Sequence, residues 1–293
     1  MLRRTMAVVL AIGLPIWCGA SAFGQRVASL AADRLTLGPG ESATLRLETH
    51  EAEGVREIAW GEAGVEWVFV RDSHSQRNHA GAPIEADGRT LRVSPTRAGV
   101  TMVGVDLARR VEVMGVEAFG RLMERAGKGL EEMQTGPGKA PPRDQEAPPR
   151  DQEAPAQDAE APLQVLRVES ACALVRVGGA ATDVGVSKSG LATEIRALMD
   201  PTALLLPSDM AVRVYADGSG VPGATVIATH AASGAERRTT ADEKGIAPVR
   251  LDRPGLWRVE FHHVVPSRDA EADWVVYSCV LTFEAGAGEG GAR

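Results

Sequence analysis

The sequence predicts an all-β protein with two β-sandwich domains, joined by one amphipathic helix and a disordered proline-rich linker. Short apolar runs alternate with polar residues over most of the 293 residues, as expected for strands, whose side chains point to alternate faces. Turn residues separate these runs at short intervals, which is typical of sandwiches. One stretch carries apolar residues at helical spacing, and another is a polar, proline-rich repeat.

The amino terminus predicts a cleaved signal peptide over residues 1–22. Arg3 and Arg4 precede an apolar run of about a dozen residues, which is too short to span a bilayer. Small residues at Ala20 and Ala22 are typical of a cleavage site. We therefore expect a periplasmic or secreted protein with no integral membrane segment after cleavage.

Residues 23–115 predict the N-terminal β-sandwich. Val65, Trp67 and Phe69 alternate with polar or smaller residues and line one face of a strand. Further short alternating runs follow at strand length, without helical stretches between them. This range is therefore expected to fold as a sandwich with its own core.

Residues 116–134 predict the amphipathic helix. Phe119, Leu122 and Met123 fall on one face of a 3.6-residue period, with charged residues opposite. Gly127 is expected to break or kink the helix towards its end. Such an apolar stripe is more often core packing than a groove for a partner.

Residues 135–162 predict a disordered linker. The sequence PPRDQEA at 141–147 recurs identically at 148–154 and in decayed form at 155–161. The repeat has too little apolar surface to offset the entropy lost on ordering, so the linker is expected to be dispensable for folding. Residues 287–293 predict a flexible tail.

Residues 163–286 predict the C-terminal β-sandwich. Met210, Val212 and Val214 alternate along one strand, and the tight-turn pair Asp217-Gly218 follows. Similar runs and turns continue to the end of this range.

A spaced set of turn and strand residues in this range carries a resemblance. Its members are Gly220, Pro222, Gly223, Ala224, Val226, Thr240, Asp242, Gly245, Pro254, Gly255, Trp257 and Val259. The pattern resembles carboxypeptidase-regulatory and transthyretin-like sandwiches, whose architecture is Ig-like. Those modules are usually accessory domains, so the resemblance implies a fold rather than an activity.

A second resemblance rests on segments in a fixed order. They are 35–41 (LTLGPGE), 118–127 (AFGRLMERAG), 173–178 (ALVRVG), 194–195 (EI), 200–201 (DP) and 277–283 (YSCVLTF). In these the chain is similar to a family of exported bacterial proteins of unknown function, described as periplasmic components of nickel uptake. The family commonly opens its mature chain with a His, whereas Gln25 stands near that place here. The resemblance implies a divalent metal such as Ni, Zn or Cu as a ligand.

Composition limits the class of function. The net charge is −7, and loss of Arg3 and Arg4 with the signal peptide makes the chain more acidic, so we expect no nucleic-acid partner. No His-Glu-x-x-His, Cys-x-x-Cys, phosphate loop or Gly-x-Ser-x-Gly motif occurs. We therefore predict that the protein is not an enzyme.

The candidate metal ligands are His262, His263, Asp273, His74 and His79. Only one of the adjacent histidines at 262 and 263 can join a given site, because neighbouring strand residues face opposite sides. Asp273 is the expected acidic partner across the intervening loop. The competing interpretation for 74 and 79 is a solvated polar loop, since zinc or nickel needs three or four converging ligands.

Two cysteines remain after signal cleavage, Cys172 and Cys279. An even number in an oxidising compartment predicts one disulfide. Two separate buried thiols are the alternative, because a free cysteine behaves as a small core residue.

Together these features predict an exported, non-enzymatic binding or interaction protein. A link to divalent-metal, nickel-like uptake is the first hypothesis for its role. The alternative is an accessory β-sandwich for a surface polymer, carbohydrate or protein partner, with Trp60 and Trp67 as contacts. Neither hypothesis identifies the partner.

Overall fold

The computed structural model describes residues 27–51, 54–79, 87–129, 131, 162–178 and 182–286. The predicted signal peptide, the flexible tail and the linker up to its last residue lie outside the described residues, so these three remain predictions. The described part contains β-strands, one α-helix and two short 3-10 turns, which confirms the predicted all-β class.

The strands in the first part of the chain are β1 (Val27–Ala32), β2 (Thr36–Leu37), β3 (Ala43–Glu51), β4 (Gly54–Ile58), β5 (Val65–Arg71), β6 (Gln76–His79), β7 (Thr90–Val93), β8 (Gly99–Leu107) and β9 (Arg110–Met114). The helix α1 follows at Val116–Arg125. The later strands are β10 (Leu163–Val177), β11 (Thr193–Ala197), β12 (Ser208–Ala216), β13 (Ser219–Gly220), β14 (Thr225–His230), β15 (Glu236–Thr240), β16 (Ile246–Leu251), β17 (Gly255–Pro266) and β18 (Trp274–Ala285).

In the described part of the chain these strands form three sheets. The central sheet has the order β15-β14-β17-β18-β10-β8-β5-β6, and β2 and β9 also pair with β10. The first sheet joins β1, β3, β4 and β7, and the third joins β11, β12, β13 and β16. Strand β10 lies parallel to β18, from Val165 opposite Trp274 to Ala173 opposite Thr282.

Two apolar cores lie on opposite faces of the central sheet. Alternate residues of β10, such as Ala171 and Ala173, pack with Leu45 of the first sheet. The residues between them, such as Cys172, pack with Val212 of the third sheet. The middle of β10 is therefore covered on both faces, and nearly every residue there is buried.

The predicted domain division therefore falls within one continuous sheet. Strands β5, β6 and β8 from the range 23–115 and strands β10, β14, β17 and β18 from the range 163–286 are hydrogen-bonded into the central sheet. Whether the two ranges fold independently remains a prediction.

Helix α1 covers one end of the central sheet. Phe119, Leu122 and Met123 are fully buried there, and the ring centroid of Phe119 lies 5.4 Å from that of Trp274 on β18. The helix begins at the predicted residue and ends at Arg125, next to the break predicted at Gly127, while residues 130 and 132–134 of the predicted range lie outside the described part. It stops because Gly127 adopts a left-handed φ of 73°, where a Cβ would collide with Thr225.

Two turns predicted from sequence are confirmed. Asp217 and Gly218 both have positive φ, 45° and 77°, as a tight hairpin turn requires. Asp242 Oδ1 accepts hydrogen bonds from the backbone N–H groups of Lys244 and Ile246, both at 2.8 Å. No helix among the described residues is long and apolar enough to cross a membrane.

Candidate functional site

A row of polar and charged side chains crosses one face of the central sheet between two apolar clusters. Strand register sets the row, because Arg110 lies opposite Arg167, Glu169 opposite Ser278, and Ser278 opposite His262. We call this row the polar belt, and its members are Arg110, Glu112, Arg167, Glu169, Arg258, Glu260, His262 and Ser278. The core beneath the first sheet lies on one side of the belt, and the apolar cluster beneath α1 lies on the other.

The β9–β10 half of the belt is a network of ion pairs. Arg110 donates from Nε to Glu112 at 2.7 Å and from Nη2 to Glu169 at 2.8 Å, and Arg167 donates from Nε to Glu112 at 3.2 Å. Arg167 and Glu169 are almost completely buried. Burial by itself would raise the pKa of Glu112, but the nearby Arg167 and Arg110 guanidinium groups outweigh it and hold that pKa below its usual value.

The β17 half of the belt is hydrogen-bonded to helix α1. Glu260 accepts a hydrogen bond at 2.7 Å from Nε of Arg125, the last residue of α1, and a second from its Nη2. Arg125 Nη2 also lies 3.3 Å from Glu236 Oε1. Burial opposes ionisation of Glu260, but His262 and Arg125 outweigh it and lower its pKa to about 2.

His262 is fully buried next to Ser278. Its Nδ1 lies 3.0 Å from Ser278 Oγ, and its Nε2 lies 3.7 Å from Glu260 Oε1, which is an ion-pair distance rather than a hydrogen bond. Ser, His and Glu are thus neighbours, as in a hydrolytic triad. The serine is 1 % exposed and the histidine 0 %, so a substrate has no access to this group. The arrangement therefore serves packing rather than nucleophilic attack.

His50 links the first sheet to the belt. Arg258 donates from Nη1 to His50 Nε2 at 2.8 Å, and Ser29 Oγ lies 2.8 Å from the same nitrogen. Burial, reinforced by the Arg258 charge, lowers the pKa of His50 to about 4. A guanidinium can only donate, so its His50 partner nitrogen acts as an acceptor and the ring is neutral.

The predicted metal ligands do not converge. Asp273 lies five residues before Ser278, the residue opposite His262, which corresponds to about 16 Å of strand. Its carboxylate instead accepts a hydrogen bond from the backbone of Gln164 at 2.7 Å. His263 faces the other side of β17, as expected, and its ring lies 6.2 Å from that of Tyr277.

The loop histidines do not form a site either. His74 is exposed in a turn, where its Nδ1 lies 2.8 Å from Ser73 Oγ. His79 ends β6 opposite Val68, and its side chain lies outside the described part. Within the described part of the chain, no group of three or more His, Cys, Asp or Glu side chains is placed to hold a metal ion. The described residues thus do not fit the divalent metal that the family resemblance implies.

Cys172 and Cys279 are buried free thiols, so the predicted disulfide is absent from the structure. The register of β10 and β18 explains this, because Ser170 rather than Cys172 lies opposite Cys279. An offset of two residues between neighbouring strands separates the Cα atoms by about 8 Å, beyond the reach of a disulfide. Burial raises the pKa of both thiols well above their usual value.

Trp60 is not available as a polymer contact. It is fully buried beneath the first sheet, and its Nε1 donates to the carbonyl oxygen of Arg89 at 2.8 Å. Trp67 is half-buried and packs with Phe69 at a centroid distance of 5.1 Å. These two tryptophans therefore contribute mainly to the cores.

An open strand edge was not anticipated from the sequence. Strand β9 pairs only with β10 among the described residues, and its Val111 and Val113 side chains are 40 % and 62 % exposed. Beside it lies a pocket of about 410 Å³, lined by Val111, Gln164, Ala270, Glu271, Ala272 and Asp273. The signal in the sequence was the alternation at residues 110–114, where charged residues alternate with apolar ones. That alternation indicates a strand but not which face is covered.

Three β-sheets packed on one another, with an apolar core on each face of the central sheet, define a β-sandwich protein. The chain belongs to the family Domain of unknown function (DUF4198), whose model matches residues 80–265. That match begins within the first predicted domain and covers most of the second. No curated protein matches the chain.

Some solved structures show distant likenesses. A tetra-tandem repeat from the extending region of a large adhesion protein is 13% identical over 88% of this chain and 49% of its own, with a TM-score of 0.19. A chain in a structure of the mouse coronavirus receptor-binding domain complexed with its murine receptor is 8% identical over 88% of this chain and 98% of its own, with a TM-score of 0.20. A Salmonella alpha-2-macroglobulin mutant is 12% identical over 88% of this chain and 16% of its own, with a TM-score of 0.20. The chain spans about half of the adhesion-protein structure, and TM-scores of this size do not define a shared fold.

Proposed function

We propose that this protein is exported and acts by binding a partner outside the cytoplasm, without catalysis. The supporting observation is a contrast between its buried and its exposed groups. The Ser278, His262 and Glu260 side chains that resemble catalytic groups are sealed in the polar belt. An exposed feature of the described residues is instead an apolar strand edge with a pocket beside it, which is suited to contact rather than to chemistry.

A protein partner is the occupant that this surface favours. A carbohydrate or other surface polymer would need exposed aromatic rings to stack on. Trp60 is buried and Trp67 half-buried, so these two residues give the polymer hypothesis little support. The link to nickel-like uptake rests on the family resemblance, and the described residues provide no ligand set. Such a link would then act through a protein component of an uptake system rather than through a metal held by this chain.

Site-specific photocrosslinking in the native host tests the proposal. A photoreactive phenylalanine analogue replaces Val113, and a matched control variant carries it at Val55, which is similarly exposed on β4 in the first sheet. We expect a defined extracytoplasmic adduct from position 113, identified by mass spectrometry and then reproduced with the two purified proteins. Retention of the chain in the cytoplasm, or no adduct at any exposed position, would overturn the proposal.

Metal binding is tested separately by calorimetric titration of the full chain with Ni²⁺, Zn²⁺ and Cu²⁺. Because the described residues hold no three-ligand cluster, we expect no saturable binding in the micromolar range. Saturable binding that survives replacement of both His262 and His263 by Ala would place a metal site elsewhere in the chain.

A further inference from the structure

We infer that the outer edge of β9 binds an extended, positively charged peptide strand by adding it to the central sheet. This inference rests on the proposed binding function and names the chemistry of the partner. Three observations carry it: an unpaired and ordered edge, an exposed apolar face on that edge, and an acidic pocket beside it.

The edge is preformed. The inner side of β9 pairs with β10 in antiparallel register, from Arg110 opposite Arg167 to Met114 opposite Leu163. No described residue pairs with the outer side, so its backbone N–H and C=O groups have no strand partner there. A strand with one unpaired side is a template for an added strand, and the new main-chain hydrogen bonds supply affinity.

The side chains of β9 keep the edge fixed without blocking it. Arg110 and Glu112 point to the belt face, where they are ion-paired with each other and with Glu169 and Arg167. Met114 is buried beneath α1. The strand contains no proline, and its two charged residues are already paired on the belt face instead of projecting from the edge. An added strand therefore meets a rigid backbone.

The opposite face of β9 selects apolar residues. Val111 and Val113 project there, two residues apart, and are 40 % and 62 % exposed. Residues directly across a strand pair have Cβ atoms about 5 Å apart, so β-branched or aromatic residues of the partner would cover both valines. This contact fixes the face that the peptide presents.

The pocket selects positive charge. Its lining includes the carboxylates of Glu271 and Asp273 and no basic residue. Arg109, two residues before Val111, is ion-paired with Asp217 at 2.8 Å. A lysine or arginine diagonal to Val111 lies about 7–8 Å from it, and its long side chain can cross into a pocket of this size.

Other occupants fit less well. Each PPRDQEA repeat of this chain carries one basic and two acidic residues and two prolines, so it has the wrong charge and cannot complete a ladder. A second copy paired through β9 would bring two acidic pockets towards each other. A basic peptide avoids both problems.

The test uses the full chain and synthetic heptapeptides, with fluorescence anisotropy as the readout. The probe KTVTVTK, whose lysines and valines share one face, is compared with the acidic ETVTVTE and with KTVPVTK, in which proline interrupts the ladder at equal charge. We expect micromolar binding of the first that weakens with salt, and binding at least about tenfold weaker for the other two. Equal binding of all three would overturn the inference.

Two protein variants locate the site. Val113→Lys places a charge on the edge, and Glu271→Gln removes one carboxylate from the pocket; each is expected to weaken KTVTVTK binding by about tenfold. Val55→Lys, the matched substitution at an exposed valine on β4, should leave the affinity unchanged. Unfolding midpoints of all three are measured so that a folding defect is recognised, and full affinity in folded Val113→Lys would also overturn the inference.

The outcomes separate this inference from the proposed function. Adducts at other surfaces with no peptide binding at β9 would leave the function standing and remove the edge as its site. A dimer in light scattering that Val113→Lys dissolves would identify the edge as a self-interface and overturn the peptide assignment. If neither adducts nor peptide binding are found, both the edge inference and the proposed binding function are overturned.

Discussion

Arg125 and Glu260 join the only α-helix among the described residues to the central sheet, with Arg125 Nε 2.7 Å from Glu260 Oε1. Glu260 is 8 % exposed and has a pKa of about 2, so its carboxylate is ionised at neutral pH inside the protein. A buried charge of this kind depends on its partners, and removing Arg125 takes away the guanidinium that donates two hydrogen bonds to Glu260.

Replacing Arg125 with Met should therefore be strongly destabilising. We expect a loss of about 3–5 kcal/mol in the free energy of unfolding, measured by urea denaturation with circular dichroism. The matched control is Arg121→Met one turn earlier, whose exposed pair with Glu117 is worth about 0.3–0.5 kcal/mol. Adding Glu260→Leu to Arg125→Met should recover most of the loss. Equal effects at 121 and 125 would contradict the role of the buried pair.

The low pKa of His50 predicts a pH dependence of stability. The folded pKa is about 4 and the ordinary value is 6.5, so between these limits the unfolded chain binds a proton that the folded chain does not. Above pH 6.5 His50 is neutral in both states and its contribution is fully present. As pH falls from 6.5 to 4, stability should decrease by up to about 3 kcal/mol from this residue, with no further change below that window.

The His50→Gln variant tests that dependence, because Gln can still accept from Arg258 but does not titrate. Its unfolding free energy should fall less steeply between pH 6.5 and 4 than that of the wild type. His74→Gln, at an exposed turn histidine, is the control and should match the wild-type profile. Parallel profiles for all three proteins would show that His50 is not responsible.

The two core cysteines should be unreactive in the folded protein. Both thiols are buried, and burial raises their pKa, so few thiolates form and reagents cannot reach them. We expect no alkylation of Cys172 or Cys279 by iodoacetamide in native protein, and full alkylation of both after denaturation without reductant, assigned by peptide mass spectrometry. Protection that persists in denaturant until reductant is added would instead demonstrate a disulfide.

Local features of the fold were predictable from sequence because they depend on neighbouring residues. The Asp217-Gly218 turn needs two positive φ angles, and the start of α1 follows from the spacing of Phe119 and Leu122. Pairing between distant strands was not predictable. Nothing local in β10 indicates that it lies parallel to β18, about a hundred residues later. Nor does anything local indicate the antiparallel pairing of β10 with β8, which gives the two predicted sandwiches one sheet.

The candidate site was predicted only in part, for the same reason. The split of His262 and His263 to opposite faces follows from strand geometry and is confirmed. Charged side chains such as Arg167 and Glu169 are typical of a strand face in water, yet their face is covered by α1 and the first sheet. Their burial depends on elements brought together by the fold, so alternation alone could not reveal it.

Gly104 on β8 provides a test of packing where the central sheet is tightest. It lies opposite Phe69 on β5, and a Cβ at this position would overlap the phenyl ring, which is fully buried against Trp67. Gly104→Ala should therefore force the ring away and cost about 1–3 kcal/mol of stability. Gly61→Ala is the control, since no atom lies within 4 Å of a Cβ there, and it should change stability by less than about 0.5 kcal/mol.

If the ring collision is the cause, Gly104→Ala should cost much less in a Phe69→Leu background, because the smaller side chain leaves room for the methyl group. Additive effects in that double-mutant cycle, measured from thermal and urea unfolding, would show that the glycine is required for another reason.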